Sequence, residues 1–178
     1  MNIQGMSALV TGGGSGLGEA TARELARLGA KVAVLDLNLE NAQKVAADIG
    51  GIAIQCDVTN AASMENAVAE AAKAQGGARI LMQIAGIGTA KRIVGKDGNP
   101  APLEDFAKVV NVNLIGTYNA ARVFAAACAK LDPMEDGERG AMVFTASVAA
   151  FDGQVGQQAY SASKAGVAGM TLPMARDL

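Results

Sequence analysis

A doubly wound parallel α/β sheet is the fold that three features of this sequence predict. Five short apolar runs alternate with amphipathic stretches, as crossover units built on parallel strands require. A glycine-rich turn, Gly12-Gly-Gly-Ser-Gly16-Leu-Gly18, opens directly after the first run. An acid, Asp36, ends the second run twenty residues beyond Gly16. The 178 residues are expected to form one domain, 1–178, with a full hydrophobic core.

The first strand is Ser7-Ala-Leu-Val-Thr11, and a helix from about Leu17 should place Leu17, Thr21, Leu25 and Leu28 on one inward face before Gly29 stops it. Lys31-Val-Ala-Val-Leu35 is the second strand. Strand, glycine turn, helix, strand and acid together describe a dinucleotide site. The glycines let the backbone approach a pyrophosphate, and the helix N-terminus offers free N–H groups at a positive dipole end. Asp36 can accept from the adenosine ribose hydroxyls and would repel a 2′-phosphate. No Arg lies in the turn or directly after Asp36, so the reading is NAD(H) over NADP(H).

Leu39, Ala42, Ala46 and Ile49 mark a second helix, stopped by Gly50-Gly51. The third strand, Ile52-Ala-Ile-Gln-Cys56, leads into Asp57-Val58-Thr59. Thr59 or Asn60 could cap the helix over 61–75, and Asp57 serves either that turn or the adenine, the turn being favoured. Arg79-Ile-Leu-Met-Gln-Ile84 is the fourth strand; Ala85-Gly86-Ile-Gly88 then either lies along a cofactor or is only a tight connection. The insertion Thr89 to Pro102 carries Lys91, Arg92 and Lys96, and composition favours a solvated loop over a basic lip for a phosphorylated substrate. A long helix from Leu103 to about Lys130 should turn Phe106, Val109, Val110, Leu114 and Tyr118 inward. Asn113 in that stripe must find partners, either locally or through a water near the site.

The fifth strand, Ala141-Met-Val-Phe-Thr145, places Ser147 at a strand's carboxyl end, where open α/β sheets bind ligands. A loop with Gly153 and Gly156 follows, then a helix carrying Tyr160 and Lys164 at i, i+4, on one face. A phenol beside a fixed ammonium ionises more easily, because the cation favours the phenolate. Ser147 would orient a substrate oxygen against Tyr160. A Tyr-x-x-x-Lys pair alone is common by chance; Ser147 thirteen residues upstream and the glycine turn set this one apart. Ala162, Gly166 and Gly169 would admit a close helix neighbour, and Pro173 should kink the helix near its end.

Composition narrows the function. Hydrophobic residues make up 51% and aromatics 3%, and Gly accounts for 22 positions, which suits closely packed layers. A formal charge of −2 without a basic cluster argues against nucleic acid or an anionic membrane as partner. No apolar run reaches membrane-span length, and the N-terminus lacks the pattern of a signal peptide. Cys56 and Cys128 are isolated, which fits reduced core residues in a cytoplasmic protein. The absence of His removes His-dependent triads and most zinc sites, so no metal site is expected.

With Thr11-Gly12-x-x-x-Gly16-x-Gly18, Asn113, Ser147 and Tyr160-x-x-x-Lys164 in one order, the whole chain resembles the short-chain dehydrogenase/reductase family. The resemblance implies a Rossmann-like sheet, with five of the family's seven strands in order 3-2-1-4-5, and NAD as cofactor. It implies that Tyr160 is the catalytic acid/base and that Ser147 meets the substrate. Lys164 would bind the nicotinamide ribose and favour the phenolate, and Asn113 would hold the water of a proton relay. Cofactor contacts are implied for Thr11, Gly12, Ser15, Gly16, Leu17, Gly18, Asp36, Asp57, Val58, Ala85, Gly86, Tyr160 and Lys164.

Leu103-Glu-Asp-Phe106, Thr145-Ala-Ser-Val-Ala-Ala-Phe151, Gly153-Gln-Val-Gly-Gln157 and Gly169-Met-Thr-Leu-Pro-Met-Ala-Arg-Asp-Leu178 are similar to the type-2 3-hydroxyacyl-CoA dehydrogenases within that family. This implies hydride exchange between nicotinamide and a 3-hydroxyacyl-CoA/3-ketoacyl-CoA pair in fatty acid metabolism. Gln154 and Gln157 would line the substrate pocket with Ser147 and Tyr160. A homo-oligomer, tetramer or dimer, would form through the helix from Leu103 and the Tyr160 helix. A hydroxysteroid or other ketone dehydrogenase on the same machinery is the alternative, and a nucleotide-binding module without catalysis is the rival of another class. Two departures stand out: Ile84-Ala85-Gly86 replaces the usual Asn-Ala-Gly, and the sequence ends at Leu178, before the family's last two strands and substrate lid. The fifth strand is then expected at an open edge. These residues alone are expected to bind adenosine nucleotides weakly, with little dehydrogenase activity and a tendency to aggregate.

Overall fold

The computed structural model describes all residues, Met1–Leu178. The chain divides into two compact units: Met1–Ala85 with Asn119–Val143, and Gly86–Tyr118 with Phe144–Leu178. The strands are β1 (Ser7–Thr11), β2 (Lys31–Asp36), β3 (Ile52–Gln55), β4 (Ala78–Gln83) and β5 (Ala141–Phe144). They form one sheet in the order β3-β2-β1-β4-β5, with β1 parallel to both β2 and β4, and β2 parallel to β3. This is the expected doubly wound parallel order. β5 lies at the edge, with Ala141 and Val143 exposed.

In the first unit, α1 (Gly16–Arg27) and α2 (Leu39–Ile49) cover one face of the sheet. Side chains alternate along a strand. Ala8 and Val10 therefore meet Val32, Val34, Ala22, Ala42 and Val45 in one apolar cluster, while Leu9 and Leu35, also fully buried, fall on the opposite parity. The helix α3 (Ala61–Gln75) packs against the strands and buries Met64, Ala67, Val68 and Ala71. The inward face of α1 differs from expectation: Gly18 and Ala22 are buried, whereas Leu17 is 73% exposed. Small residues let α1 lie close to its neighbours, and the larger leucines at its two ends are displaced outward.

In the second unit, α4 (Leu103–Val110) runs into a π-helical turn, Asn111–Ile115, and then into α5 (Gly116–Cys128), which continues into the first unit. The expected inward stripe is thereby broken. Val109 is fully buried, but Phe106 is 41% and Tyr118 53% exposed. A π turn inserts one residue and rotates the face that follows it, which brings Tyr118 out. Phe106 lies in a cavity beneath the 89–102 segment. A short 3₁₀ turn, Val148–Ala150, precedes α6 (Gln158–Asp177), and both α4 and this turn pack on α6. Leu114 fills the space a side chain at Gly166 would need, approaching within 2.8 Å of its Cβ position, so the close helix neighbour lies within the chain. Helix α6 continues past Pro173 to Asp177. No helix is long and apolar enough to cross a membrane.

Candidate active site

The first set of site residues lies in the first unit. The turn after β1 is held by its own backbone: the Gly13 N–H donates to Leu35 O (3.1 Å) and the Gly14 N–H to Asp36 Oδ2 (2.9 Å). The second carboxylate oxygen of Asp36 accepts from the Asn38 N–H (2.9 Å). Asp36 is thus pinned against the turn, with further lone pairs on both oxygens. Gly12 has φ +64°, and a Cβ there would come within 2.8 Å of Ala85 Cα. A Cβ at Gly18 would collide with the Gly12 carbonyl. Only glycine satisfies either position.

Helices α1, α2 and α3 of this unit differ at their N-termini. Asn38 caps α2 by accepting from the Asn41 N–H (3.1 Å), and Asn60 caps α3 by accepting from the Ser63 N–H (2.9 Å). Ser15 makes no such bond for α1, and Ser15, Gly16 and Leu17 are all exposed. An uncapped helix start behind a glycine turn presents N–H groups to an anion. The cradle, its open helix end and the adjoining carboxylate fit a dinucleotide's pyrophosphate and ribose.

Asp57 is engaged in its own turn, where Oδ1 accepts from Thr59 N (2.9 Å) and Thr59 Oγ1 (2.7 Å), while Val58 is buried. Asn60, not Thr59, is the cap. Thr11 is wholly buried, and its hydroxyl donates to Gln83 Oε1 (2.6 Å) while accepting from the Ile84 and Ala85 N–H groups (3.2 Å each). The exit from β4 is therefore held by Thr11 and Gln83, and Ile84 need not supply polar contacts. Gln83 escaped the sequence reading because it sits in an otherwise apolar strand; a buried Gln must find a partner.

The second set lies in the second unit. Ser147 is extended, and its Oγ accepts from the Ala149 N–H (3.1 Å), capping the 3₁₀ turn that packs on α6. Tyr160 and Lys164 share one face of α6, as their spacing requires, and Lys164 Nζ lies 5.7 Å from the Tyr160 ring centroid. Lys164 is 4% exposed, and its ammonium donates to the Thr145 carbonyl (2.6 Å). Burial pushes the Lys164 pKa below the usual lysine value. The ammonium is thus fixed by a backbone acceptor beside the aromatic ring, a geometry in which cation and π face attract.

Asn113 is fully buried at the π turn. Its Oδ1 accepts from Ile87 N (2.8 Å), and its Nδ2 donates to Ile87 O (2.9 Å) and Ser163 Oγ (3.0 Å). Its own carbonyl accepts from Thr117 Oγ1 (2.6 Å). The side chain is thus partnered by the Ile87 backbone and by Ser163, both distant in sequence. Ser163 in turn donates to the Tyr160 carbonyl (2.7 Å). Asn113 thus ties the Ile87 segment to the turn of α6 that carries Tyr160, and Ser163 is the link that sequence reasoning missed. Its position three residues after Tyr160 was the available signal.

Gln154 lines a groove of about 510 Å³ with Arg92, Ile93, Val94 and Val155. Gln157 instead turns its Oε1 back to the Gln154 N–H (2.9 Å).

The family model described as short chain dehydrogenase matches residues 6–178. The chain is 46% identical over 179 residues to 3-hydroxyacyl-CoA dehydrogenase type-2 of Drosophila melanogaster, covering 99% of this chain and 70% of the relative. It is 43% identical over 180 residues to the Homo sapiens protein of the same name, covering 99% and 69%. The crystal structure of 3-hydroxyacyl-CoA dehydrogenase type-2 from Mycobacterium avium superposes with a TM-score of 0.93 at 46% identity, covering 98% of this chain and 69% of that one. With that match and the glycine turn, Asn113, Ser147, Tyr160 and Lys164 placed as described, the chain belongs to the short-chain dehydrogenase family and is an oxidoreductase.

Proposed function

We propose that the protein is an NAD-dependent dehydrogenase acting on the 3-hydroxyacyl-CoA/3-ketoacyl-CoA pair. The observation that carries the chemistry is the buried Lys164 ammonium, fixed by the Thr145 carbonyl beside the Tyr160 ring. The names of the relatives support the substrate class. Gly12, Ser15, Gly16, Leu17 and Gly18 would hold the pyrophosphate, Thr11, Ala85 and Gly86 would shape the adjoining wall, and Asp57 and Val58 would flank the adenine. Asp36 would accept from the adenosine ribose hydroxyls and repel a 2′-phosphate, which favours NAD over NADP. The nicotinamide supplies the hydride acceptor when it is bound.

Within this reading, Tyr160 acts as the phenolate, whose oxygen takes the proton from the substrate carbinol and becomes the neutral hydroxyl. Ser147 donates its hydroxyl to the substrate oxygen, since its engaged lone pair leaves the O–H free to turn. Lys164 favours the phenolate form of Tyr160 that accepts the proton, and would donate to the nicotinamide ribose. The lone pair left on Asn113 Oδ1 is where a relay water would attach. Gln154, and Gln157 through its NH₂ group, would contact the substrate. The two units are read as one catalytic domain, since each supplies only part of the required set. The exposed Leu103, Phe106 and Tyr118 suit a homo-oligomeric contact, and two unpaired, buried cysteines suit a reducing compartment such as the cytoplasm.

The test is Tyr160→Phe in the protein carried to the length of its relatives. Turnover should fall by about 10²- to 10⁴-fold, the usual worth of a positioned acid/base, while NAD affinity stays the same. Undiminished turnover would assign the proton transfer to another residue. Steroid-alcohol oxidation without hydroxyacyl-CoA oxidation would remove the substrate assignment.

A further inference from the structure

The segment between Thr89 and Pro102 is tied at one point to the turn before α6. The Lys91 N–H donates to the Gly156 carbonyl (2.9 Å). Gln158, the first residue of α6, spans the same junction. In the amide orientation that satisfies its surroundings, Nε2 donates to Lys91 O (2.7 Å) and Gly156 O (3.3 Å), and Oε1 accepts from Ile93 N (3.2 Å). Gly156 has φ +84°, and a Cβ there would stand 3.1 Å from the Lys91 nitrogen, so the approach is tight. Two further contacts complete the arrangement. Lys91 Nζ pairs with Asp105 Oδ2 on α4 (2.6 Å), and the Ala101 N–H donates to Ile93 O (3.0 Å).

Gln158 also stands between two cavities. One, of about 280 Å³, is apolar and holds Phe106 and Pro102; the other is the groove of about 510 Å³ with Arg92 and Gln154. Ile93, Gly156 and Gln158 line both. Whatever moves the Lys91–Ile93 backbone therefore changes the width of the groove at Gln154.

We propose that Gln158 is a positioning residue for substrate: its amide clamps the Lys91–Ile93 backbone and so sets the groove beside Gln154 in which the thioester lies. This rests on the substrate reading above. Gln is suited to the task because it offers two donors and an acceptor from one planar group, and the junction presents two carbonyls and one N–H. A carboxylate of the same shape keeps the acceptor for Ile93 but turns an oxygen toward two carbonyl oxygens.

The test uses Gln158→Glu and Gln158→Met in the protein carried to the length of its relatives. Both keep the side chain's length and suit a helix start. Trypsin reports the clamp without any substrate, since Lys91, Arg92 and Lys96 are exposed cleavage points within the segment. Both variants should be cut there at least about fivefold faster than the parent, the factor that one net hydrogen bond carries. Cleavage after Lys130 should be unchanged. KM for 3-hydroxyacyl-CoA should rise by about the same factor, with kcat within about twofold and NAD affinity unaltered. Unchanged cleavage in the segment would refute the clamp. Faster cleavage with an unchanged KM, or a fall in kcat alone, would refute its bearing on substrate. A parent enzyme that oxidises other alcohols but no hydroxyacyl thioester would overturn the placement of a thioester in the groove, and the cleavage ratio would still judge the clamp by itself.

Discussion

The glycine turn in the first unit and the Tyr160 region in the second are built on opposite principles. Around the turn, the backbone forms the site: N–H groups of Gly13 and Gly14 are already bonded, α1 is left uncapped, and the only side chain committed is Asp36. Around Tyr160, side chains hold other side chains and carbonyls. Asn113 holds Ile87 and Ser163, Ser163 holds the Tyr160 carbonyl, and Thr145 holds Lys164. A backbone site depends on residues having no Cβ, so it tolerates little added volume. A side-chain network depends on partners distant in sequence, so it fails when one polar partner is removed.

The strongest break of that contrast is Asn113→Leu. It would leave the Ile87 N–H and carbonyl without their partner and would take from the Ser163 hydroxyl one of its two bonds. At about 1–3 kcal/mol for each buried group left unpaired, chemical denaturation should show a loss of several kcal/mol. Hydrogen exchange should concentrate the loss in α6 and the Ile87 segment and leave the α1 and α2 amides protected. Uniform loss across the chain would mean that the two regions are not separately held.

Gly18→Ala should come next. The added methyl meets the Gly12 carbonyl, and relieving it shifts the turn at a cost of about 1–3 kcal/mol. Most of this should appear as weaker nucleotide binding by titration calorimetry. Unchanged affinity would show that the turn has slack that its glycines conceal. Asp36→Ala is smaller still. NAD binding should weaken by about tenfold, the worth of a charged hydrogen bond lost at a half-exposed site, and discrimination against NADP should relax. A parent protein that prefers NADP would overturn the reading of Asp36.

The smallest effect concerns pH. Burial depresses the folded-state pKa of Lys164 below 10.5. Between that depressed value and 10.5 the unfolded chain binds more protons than the folded one, so this residue makes stability rise with pH across that window. Cys56 acts in the opposite sense, because burial pushes its thiol from 9.0 up to about 11 and stability falls across that interval. The contrast between the parent and Lys164→Met isolates the lysine, and the variant should lose only the rising component. A parallel pair of stability–pH curves would mean that the buried ammonium carries no such cost.

Pattern carried far in this chain where the cause was local. Strand, glycine turn, helix, strand and acid follow each other in sequence, and backbone geometry alone makes them a site, so β1, α1, β2 and Asp36 could be read directly. The parallel sheet followed from the alternation of elements, because parallel neighbours need crossovers, whereas the order of its strands came from the family resemblance. Tyr160 and Lys164 could be paired because 3.6-residue periodicity is intrinsic to a helix. Tertiary structure decided the rest. The π turn at Asn111–Ile115 brought Tyr118 out to solvent, since one added residue rotates a helix face that a regular period would have kept inward. Asn113 found Ile87 and Ser163, and Thr11 found Gln83, each across at least 26 residues of sequence. A buried polar group announces in sequence that it must be satisfied, but which partner satisfies it is set by packing between elements that no local pattern encodes.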